Sequence, residues 1–392
     1  MNMKKTLLLL TTLLFSVSAF AQDFAFGKIT SEEMDMKKYD KDTSAHAVVL
    51  NEYGTSRIDL TNDYDVRLTF EYHTKIKFFD SKEFDSEGTI EIPVYNSDNM
   101  VYEEVEDIKG ITFYKDDNGN IQQAQLDPKK ILRVKDSKHW STLRFAMPAL
   151  RNGCVTEISY KLISPYLLNF HSWNFQDHIP KVNSVYEVHI PGIYVYSASL
   201  RGYLKLTRNQ ATLQPKCFTF GTGAADCSDI IYGISDVPAF IEEDYMTSPK
   251  NYRSAVNFEL QEETNINTGS KTKVTKDWKD IDYLLKQDYG FGSQLKRKDL
   301  FKDKIASAIA NKTTDLDKAK GIYAYIQKTI KWNERNDLES LDGVKQALEN
   351  HTGSSGDINI ALIDALNAGG IKTEAVMIST RAHGNLNKLY PN

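Results

Sequence analysis

Four polar residues near the C-terminal end of the chain have the types and spacing that chemistry requires. Ser355 and Asp357 stand at the start of a strongly apolar segment, and Arg381 and His383 follow the next hydrophobic run. These four side chains are the candidates for binding a small acidic or peptide ligand. Each also has a structural explanation, because serine and aspartate cap helices and polar residues are common in solvated loops.

The elements that must position these residues are predicted from hydrophobic spacing. Apolar residues at three-and-four spacing predict a buried helix over residues 356–368, and Ser354 is placed to form a capping box with Asp357. Gly369-Gly370 ends this helix, since glycine tolerates the left-handed conformation. Residues 375–378 are predicted to form a buried strand whose unpaired edge or apolar face would favour association.

Alternating apolar and polar residues predict strands through the first half of the chain. The run from Val66 to Phe78 is the clearest example, and Asn118-Gly119 predicts a hairpin turn because these residues accept positive φ. Similar runs occupy residues 89–94, 111–114, 155–163, 186–190, 194–200 and 255–260. We predict an antiparallel β-sandwich-like domain over residues 40–265.

A change of periodicity predicts a second domain. Residues 264–270 are polar and small and are predicted to be a linker, after which helical spacing predominates. Thr314 or Asp315 is predicted to cap a helix that ends near Lys331. The fold class expected from the two halves is α+β multidomain, with the second domain over residues 277–392.

The first residues have the composition of a secretory signal peptide. Lys4 and Lys5 precede an apolar run that ends at Phe20, and a small-x-small cleavage site ends at Ala21. We predict that residues 1–21 are a signal peptide cleaved after Ala21. The mature protein would then be periplasmic or secreted, and no later apolar run is long enough to be a transmembrane anchor.

Composition and charge argue against several classes of protein. The chain has 392 residues, of which 41% are hydrophobic and 26% are charged, as in ordinary globular proteins. A formal net charge of −5 argues against a nucleic-acid partner, which would favour a basic face. Because no spacing of histidine and cysteine resembles a zinc site, we expect no metal and no cofactor.

The chain has three cysteines, Cys154, Cys217 and Cys227. Cys217 and Cys227 flank a turn-like sequence, so a hairpin could bring them into a disulfide, which an oxidising compartment permits. The alternative is that they are two small apolar residues on facing strands. Cys154 is expected to be a buried free thiol at the start of a strand.

The segment around Ser355 resembles the core of the transglutaminase-like superfamily. The resemblance rests on Gly353-x-Ser355-x-Asp357, followed by Leu362, Leu366, Ala368 and Gly370-Ile371. That family has a Cys-His-Asp triad, with the cysteine at the N-terminus of a buried helix and the histidine on the second strand after it. The resemblance implies a papain-like α+β fold for the second domain.

A second resemblance covers the first half of the chain. Residues 145–162 and 173–191 are similar to the β-rich domain of unknown function 3857, and residues 278–297 resemble a helical connector. That domain commonly precedes a transglutaminase-like domain in secreted proteins of the Bacteroidetes type. The resemblance implies the same two-domain architecture here.

The chain departs from the transglutaminase-like pattern at the reactive position. Ser355 stands where the family has its cysteine, and the sequence ends at Asn392, before the strands on which the triad histidine and aspartate are expected. His383 comes too early for the triad histidine. A cysteine at a helix N-terminus ionises near neutral pH, whereas serine needs a base during attack. We therefore expect a partial domain without catalytic activity, used for binding or as a scaffold at the cell envelope.

Two other functions stay open. One is an acyl-transfer or amide-hydrolysing enzyme in which Ser355 is the nucleophile and the base lies in a missing C-terminal region. The other is glycan or peptide binding by the β domain, through the aromatic residues Trp140, Tyr166, Phe170 and Trp173. The expected partners are an envelope protein, a peptide or a glycan.

Overall fold

A computed structural model describes residues 24–61, 65–97, 102–136, 139–274, 277–381 and 383–386. The predicted signal peptide and its cleavage site lie outside the described residues. Within them, no helix is both long enough and apolar enough to cross a membrane.

Strands dominate the chain up to Lys273, and helices follow. The strands are β1 Ala47–Leu60, β2 Val66–Phe78, β3 Thr89–Tyr95, β4 Glu104–Lys115, β5 Ile121–Gln125, β6 Leu132–Lys135, β7 Trp140–Ala146, β8 Val155–Ser164, β9 Trp173–Asn174, β10 Lys181–Pro191, β11 Tyr194–Arg201, β12 Arg208–Phe220, β13 Gly223–Val237, β14 Ala255–Thr264, β15 Lys271–Lys273, β16 Lys331–Trp332 and β17 Thr352–Gly353. The helices are α1 Ser31–Asp35, α2 Phe84–Glu87, α3 Trp278–Gln287, α4 Ala306–Ile309, α5 Asp315–Thr329, α6 Val344–Asn350 and α7 Ser355–Ala368.

The strands up to β15 form one large sheet and two small ones. The large sheet has the order β12-β13-β10-β1-β2-β8-β4-β5, and the small sheets are β3-β7-β6 and β11-β14-β15, with β9 beside β14. All three contribute to one hydrophobic core, for example through Phe70, Ile92 and Phe258. The sandwich-like part of the prediction is therefore consistent with the structure, because small sheets cover the large one.

The predicted antiparallel pairing holds in the large sheet except between one pair of strands. β1 and β10 pair in parallel, with Val49 opposite Lys181 and Arg57 opposite His189. Parallel neighbours need a long crossover, and here the chain from β2 to β9 provides it. The alternation of apolar and polar residues does not indicate strand direction, so the parallel pairing of β1 and β10 could not be predicted from the sequence.

Two turns test the local predictions. The Asn118-Gly119 turn joins β4 to β5, and Gly119 has a φ of +83°, which confirms the predicted hairpin. The predicted linker is instead the turn between β14 and β15 of the same sheet, in which Thr264 pairs with Lys271. Small polar residues serve in either role, which explains the error.

The helical part packs around its own core. Thr314 caps α5, which confirms the predicted helix start, and the helix ends at Thr329. Helix α7 confirms the predicted buried helix and begins one residue earlier than expected. The core between these elements contains Phe301, Ile305, Ile322, Ile326, Ile360, Ala361 and Ala365.

The predicted buried strand at residues 375–378 is not present. These residues have irregular backbone, and the side chains of Val376 and Ile378 are 77% and 78% exposed. A strand needs a neighbour that accepts its hydrogen bonds, and no strand of the described part of the chain pairs with this segment. Since the apolar side chains are exposed, association through this segment stays a prediction.

Candidate functional site

Ser355 and Asp357 lie at the N-terminus of helix α7, which a capping box holds. Ser354 is the N-cap residue, and its Oγ accepts a hydrogen bond from the backbone N–H of Asp357 at 3.3 Å. The Oδ2 of Asp357 accepts one from the backbone N–H of Ser354 at 2.8 Å. The capping box predicted from the sequence is therefore confirmed. The short parallel pair of β16 and β17 immediately precedes the helix, because β17 ends at Gly353, next to the N-cap residue.

Ser355 is the first residue of α7 and is half-buried. Its backbone N–H donates to the carbonyl oxygen of Arg335 at 3.0 Å, and its Oγ donates to the carbonyl oxygen of Asp337 at 2.8 Å. The hydroxyl hydrogen therefore points to a backbone carbonyl, which is not a useful base. No histidine of the described residues forms a hydrogen bond with this hydroxyl.

Asp357 and Gly356 fasten the helix start to the preceding loop. Beyond the capping box, the Oδ1 of Asp357 accepts a hydrogen bond from the Oγ of Ser340. A Cβ atom at Gly356 would lie 2.4 Å from the carbonyl oxygen of Glu339, so only glycine fits this contact. The head of α7 and residues 334–341, here called the cleft loop, are thus packed backbone against backbone.

The cleft loop lines a cavity of about 530 Å³ between the β-rich part and the helical part. The β-rich part contributes Tyr95, Asp136, His139 and Trp140 to its wall. This cavity, here called the cleft, falls in the size range of ligand pockets. Because Ser355 is bonded to two backbone carbonyls of the cleft loop, it lies directly behind the wall of the cleft.

The cleft combines an aromatic surface with carboxylates. Trp140 is 44% exposed and meets Tyr95 edge to face, with ring centroids 5.1 Å apart. Arg335 and Asp337 form an ion pair at 2.9 Å. Burial and the nearby carboxylate of Asp288 raise the pKa of Glu339, which extends the range of pH in which it is protonated.

Arg381 lines a different cavity, and His383 lies two residues beyond it in the chain. They follow the irregular segment after α7, and the second cavity, of about 710 Å³, is shared with residues of the β-rich part such as Asn251. His383 Nδ1 is 2.9 Å from the Oγ of Ser379. No described residue lines both cavities, so the structure does not bring the four candidate residues into one site.

The aromatic residues suggested for glycan binding differ in exposure. Phe170 and Trp173 are only 4% and 3% exposed and belong to the sheet core, so they cannot stack on a sugar. Tyr166 is half-buried and packs edge-on against Tyr95. Trp140 alone of these four presents a large accessible surface, and it faces the cleft.

The cysteines lie in the β-rich part. Cys217 and Cys227 occupy the paired strands β12 and β13, with Cα atoms 5.8 Å apart, and a disulfide joins them in the structure. Cys154 is a free thiol that is fully buried immediately before β8, where the sequence predicts it. Burial raises the pKa of the Cys154 thiol, which makes it a poor nucleophile.

Comparison with known proteins supports part of this description. Residues 303–389 match the model of the transglutaminase-like superfamily, so the C-terminal part of the chain is a transglutaminase-like domain. No curated protein matches the chain. The solved structure of a "putative protease" from Parabacteroides distasonis ATCC 8503 superposes with a TM-score of 0.54 at 14% identity, over 83% of this chain and 59% of that one.

The structural likeness shows the fold alone, and this chain spans about three fifths of the length of that protein. The M1 zinc metallopeptidase from Deinococcus radiodurans is a more distant match, with a TM-score of 0.22 at 11% identity over 49% of this chain and 44% of the other. A likeness of that degree supports no functional conclusion.

Apart from Trp140, sequence reasoning missed the residues that form the cleft. Tyr95 and His139 come from strands or turns far from the cleft loop along the chain, so their proximity depends on how the two parts pack. The cleft loop itself has no periodic pattern. One residue next to this loop, Trp332, indicates its position in the sequence. Its Nε1 donates a hydrogen bond to the carbonyl oxygen of Arg335 at 2.9 Å, and this bond fixes the start of the loop.

Proposed function

We propose that this protein is a non-catalytic binding module that holds a peptide in the cleft between its β-rich part and its transglutaminase-like domain. The observation that carries the proposal is the hydrogen bond from Ser355 Oγ to the carbonyl oxygen of Asp337 at 2.8 Å. In this arrangement the serine maintains the wall of the cleft. It is not positioned as an activated nucleophile, which would need a base within hydrogen-bond reach.

The neighbouring polar groups also have structural roles. Asp357 accepts hydrogen bonds from Ser354 and Ser340, and is therefore occupied by the helix cap and the cleft loop. Arg335 is paired with Asp337 and accepts two hydrogen bonds through its carbonyl. These contacts make the cleft loop rigid, which favours binding because little order has to be gained when a ligand enters.

The chemistry of the cleft favours a peptide with a basic and an apolar side chain. Acidic residues outnumber basic ones in its wall, which contains Asp136, Glu334, Asp337 and Glu339 but a single arginine. The exposed ring of Trp140 offers a surface for an apolar or cationic side chain. Together with the predicted signal peptide, this supports binding of an envelope protein or peptide outside the cytoplasm.

Fluorescence polarisation with labelled peptides that contain lysine or arginine beside leucine or phenylalanine tests the proposal on the full chain. We expect Trp140→Ala to weaken binding about tenfold or more, as for aromatic anchors of interfaces. Tyr323→Ala is a matched control, since Tyr323 is 56% exposed on α5 and does not line the cleft. Equal weakening by both variants, or no binding to any such peptide, would contradict the proposal.

The second candidate function is an acyl-transfer or amide-hydrolysing enzyme. It is favoured by one observation, that Ser355 stands at the N-terminus of a helix directly behind a cleft. It requires the serine to leave the Asp337 carbonyl and to meet a base. Covalent labelling of Ser355 by a fluorophosphonate probe, absent in Ser355→Ala, would establish this function and overturn the binding proposal. We expect no labelling.

We propose that residues 40–265 and 277–392 are separate domains and that the first belongs with the domain of unknown function 3857. The separate hydrophobic cores of the β-rich part and the helical part support this division. Limited proteolysis that cuts first between Lys273, the end of β15, and Trp278, the start of α3, would agree with it. First cuts inside either core would argue against it.

A further inference from the structure

Three residues with metal-binding side chains converge in the β-rich part, away from the cleft. They are His189 on β10, Cys217 on β12 and Cys227 on β13. One ring nitrogen of His189 and the two sulfur atoms all lie within 4.8 Å of one another. His189 and Cys227 are 6% and 0% exposed, whereas Cys217 is accessible to solvent.

Strand register explains the convergence. His189 pairs with Asp229 and Pro191 pairs with Cys227, which places His189 and Cys227 on one face of the sheet. The register between β12 and β13 shifts between Gln214 and Phe218, and Lys216 in this bulge has a φ of +52°. The bulge turns the chain so that Cys217 meets Cys227. The turn-like sequence between the two cysteines allowed their approach to be predicted, but no linear motif indicates that His189 lies beside them.

The histidine is oriented as metal-binding histidines usually are. The Nδ1 of His189 forms a hydrogen bond with the carboxylate of Asp229, and no described residue forms one with its Nε2. A carboxylate on one nitrogen fixes the tautomer and the ring and leaves the other nitrogen as a ligand. His189 and Asp229 also line a groove of about 290 Å³ on this face of the sheet.

We infer that the reduced protein binds one Zn²⁺ ion through His189, Cys217 and Cys227, with the fourth coordination position open to this groove. Two thiolates and one imidazole are a ligand set that zinc prefers, and three protein ligands with an open position are typical of reactive zinc sites. The groove is lined by Arg57 and Arg208 and also by the carboxylates of Glu187 and Asp229.

The disulfide closes this site in the oxidised protein. A phosphine reductant supplies two electrons and becomes a phosphine oxide with the oxygen of a water molecule, and the two protons of that water leave Cys217 and Cys227 as thiols. Binding of Zn²⁺ then releases the two thiol protons. The ladder between β12 and β13 holds the two strands together in either redox state, so reduction leaves the ligands close to one another.

Cobalt substitution tests the site on the full chain. The protein is reduced with a phosphine under anaerobic conditions and titrated with Co²⁺, because thiolate ligation gives a strong charge-transfer absorption and tetrahedral geometry gives visible bands. We expect one Co²⁺ per reduced chain, displaced by Zn²⁺, and none in the oxidised chain. Cys217→Ser is expected to lose the thiolate-rich absorption, and His189→Ala is expected to lose tight binding of Co²⁺. Asp229→Asn is expected to bind Co²⁺ roughly 10–100-fold more weakly than the wild type.

Cys154→Ala is the matched control, because Cys154 is the third cysteine and is not part of the cluster. It is expected to keep the full signal. Circular dichroism of each reduced variant shows whether it is folded, and thermal unfolding with Zn²⁺ gives a second readout, since only chains with an intact site are stabilised by the metal. Absence of Co²⁺ binding by the folded reduced protein, or an unchanged signal in Cys217→Ser, would overturn the inference.

Discussion

The hydroxyl of Ser355 donates a hydrogen bond to the backbone carbonyl of Asp337 at 2.8 Å, so the residue at the family's reactive position acts as a tie between a helix and a loop. The same loop forms one wall of the cleft. The head of α7 and the cleft loop are therefore joined directly, and substitutions at the helix head are expected to lower the stability of this part of the protein.

Replacing Ser355 with alanine tests its structural role. Ser355→Ala removes one half-buried hydrogen bond, which costs about 1 kcal/mol in the free energy of unfolding. We expect urea denaturation to show a loss of this size and peptide binding to stay within about twofold of the wild type, because the side chain does not line the cleft. A large loss of a measurable catalytic rate with unchanged stability would contradict this role.

Gly356→Ala tests the close packing between α7 and the cleft loop. Its new Cβ would lie 2.4 Å from the Glu339 carbonyl oxygen, so the loop would have to move. We expect a loss of about 1–3 kcal/mol in stability, as for other overpacked sites, together with weaker peptide binding. Unchanged stability and binding, measured by urea denaturation and fluorescence polarisation, would show that the contact is not tight.

Asp357→Asn tests whether this carboxylate serves the helix cap. The change weakens the bonds from Ser354 and Ser340 and removes a charge that favours a helix N-terminus. We expect a loss of about 1–2 kcal/mol in unfolding free energy, as for other capping residues. Asp342→Asn is a control, since Asp342 is exposed, and it is expected to change stability by less than about 0.5 kcal/mol.

The buried carboxyl of Asp364 predicts a pH dependence of stability. Asp364 lies on α7 and is fully buried. Neither of its carboxyl oxygens has a hydrogen bond of good geometry among the described residues. Burial raises its pKa from 3.8 to about 7, against a smaller opposing effect of Arg297. The folded state therefore holds a proton that the unfolded state has released between about pH 4 and pH 7, so stability falls as pH rises through this window.

Asp364→Asn removes this titration. We expect the variant to resemble the wild type at pH 4 and to be more stable at pH 8, by on the order of 2–4 kcal/mol, because one unit of pKa shift corresponds to about 1.4 kcal/mol. Urea denaturation at a series of pH values measures the difference. The same series on Asp342→Asn is the control, and a difference that is equal at all pH values would contradict the prediction.

His178 predicts an effect at higher pH. A hydrogen bond to Asp177, with the carboxylates of Glu87 and Glu83, raises the pKa of His178 from 6.5 to about 9. The stabilising effect of this imidazolium is complete below about pH 6.5 and is lost as pH rises through 9. We expect His178→Gln to be less stable than the wild type at pH 6 and to approach it near pH 10, whereas His383→Gln, which leaves these contacts intact, should not show this convergence.

Local sequence patterns were sufficient wherever one segment determines its own structure. The capping box of Ser354 and Asp357, the Asn118-Gly119 turn and the helix that Thr314 caps all depend on neighbours within four residues along the chain. Hydrophobic alternation likewise located β2 at the correct residues. In these elements the backbone hydrogen bonds close over a short distance, so residue type and spacing decide them.

The sequence alone thus determined the secondary structure around Ser355, the replacement of cysteine by serine and the resemblance to the transglutaminase-like core. Tertiary structure decided where the serine hydroxyl points, that Arg381 lies at another cavity, and that β1 pairs in parallel with β10. It also brought His189 to Cys217 and Cys227. These outcomes depend on pairing and packing between segments far apart in the chain, whose free energies no local pattern encodes.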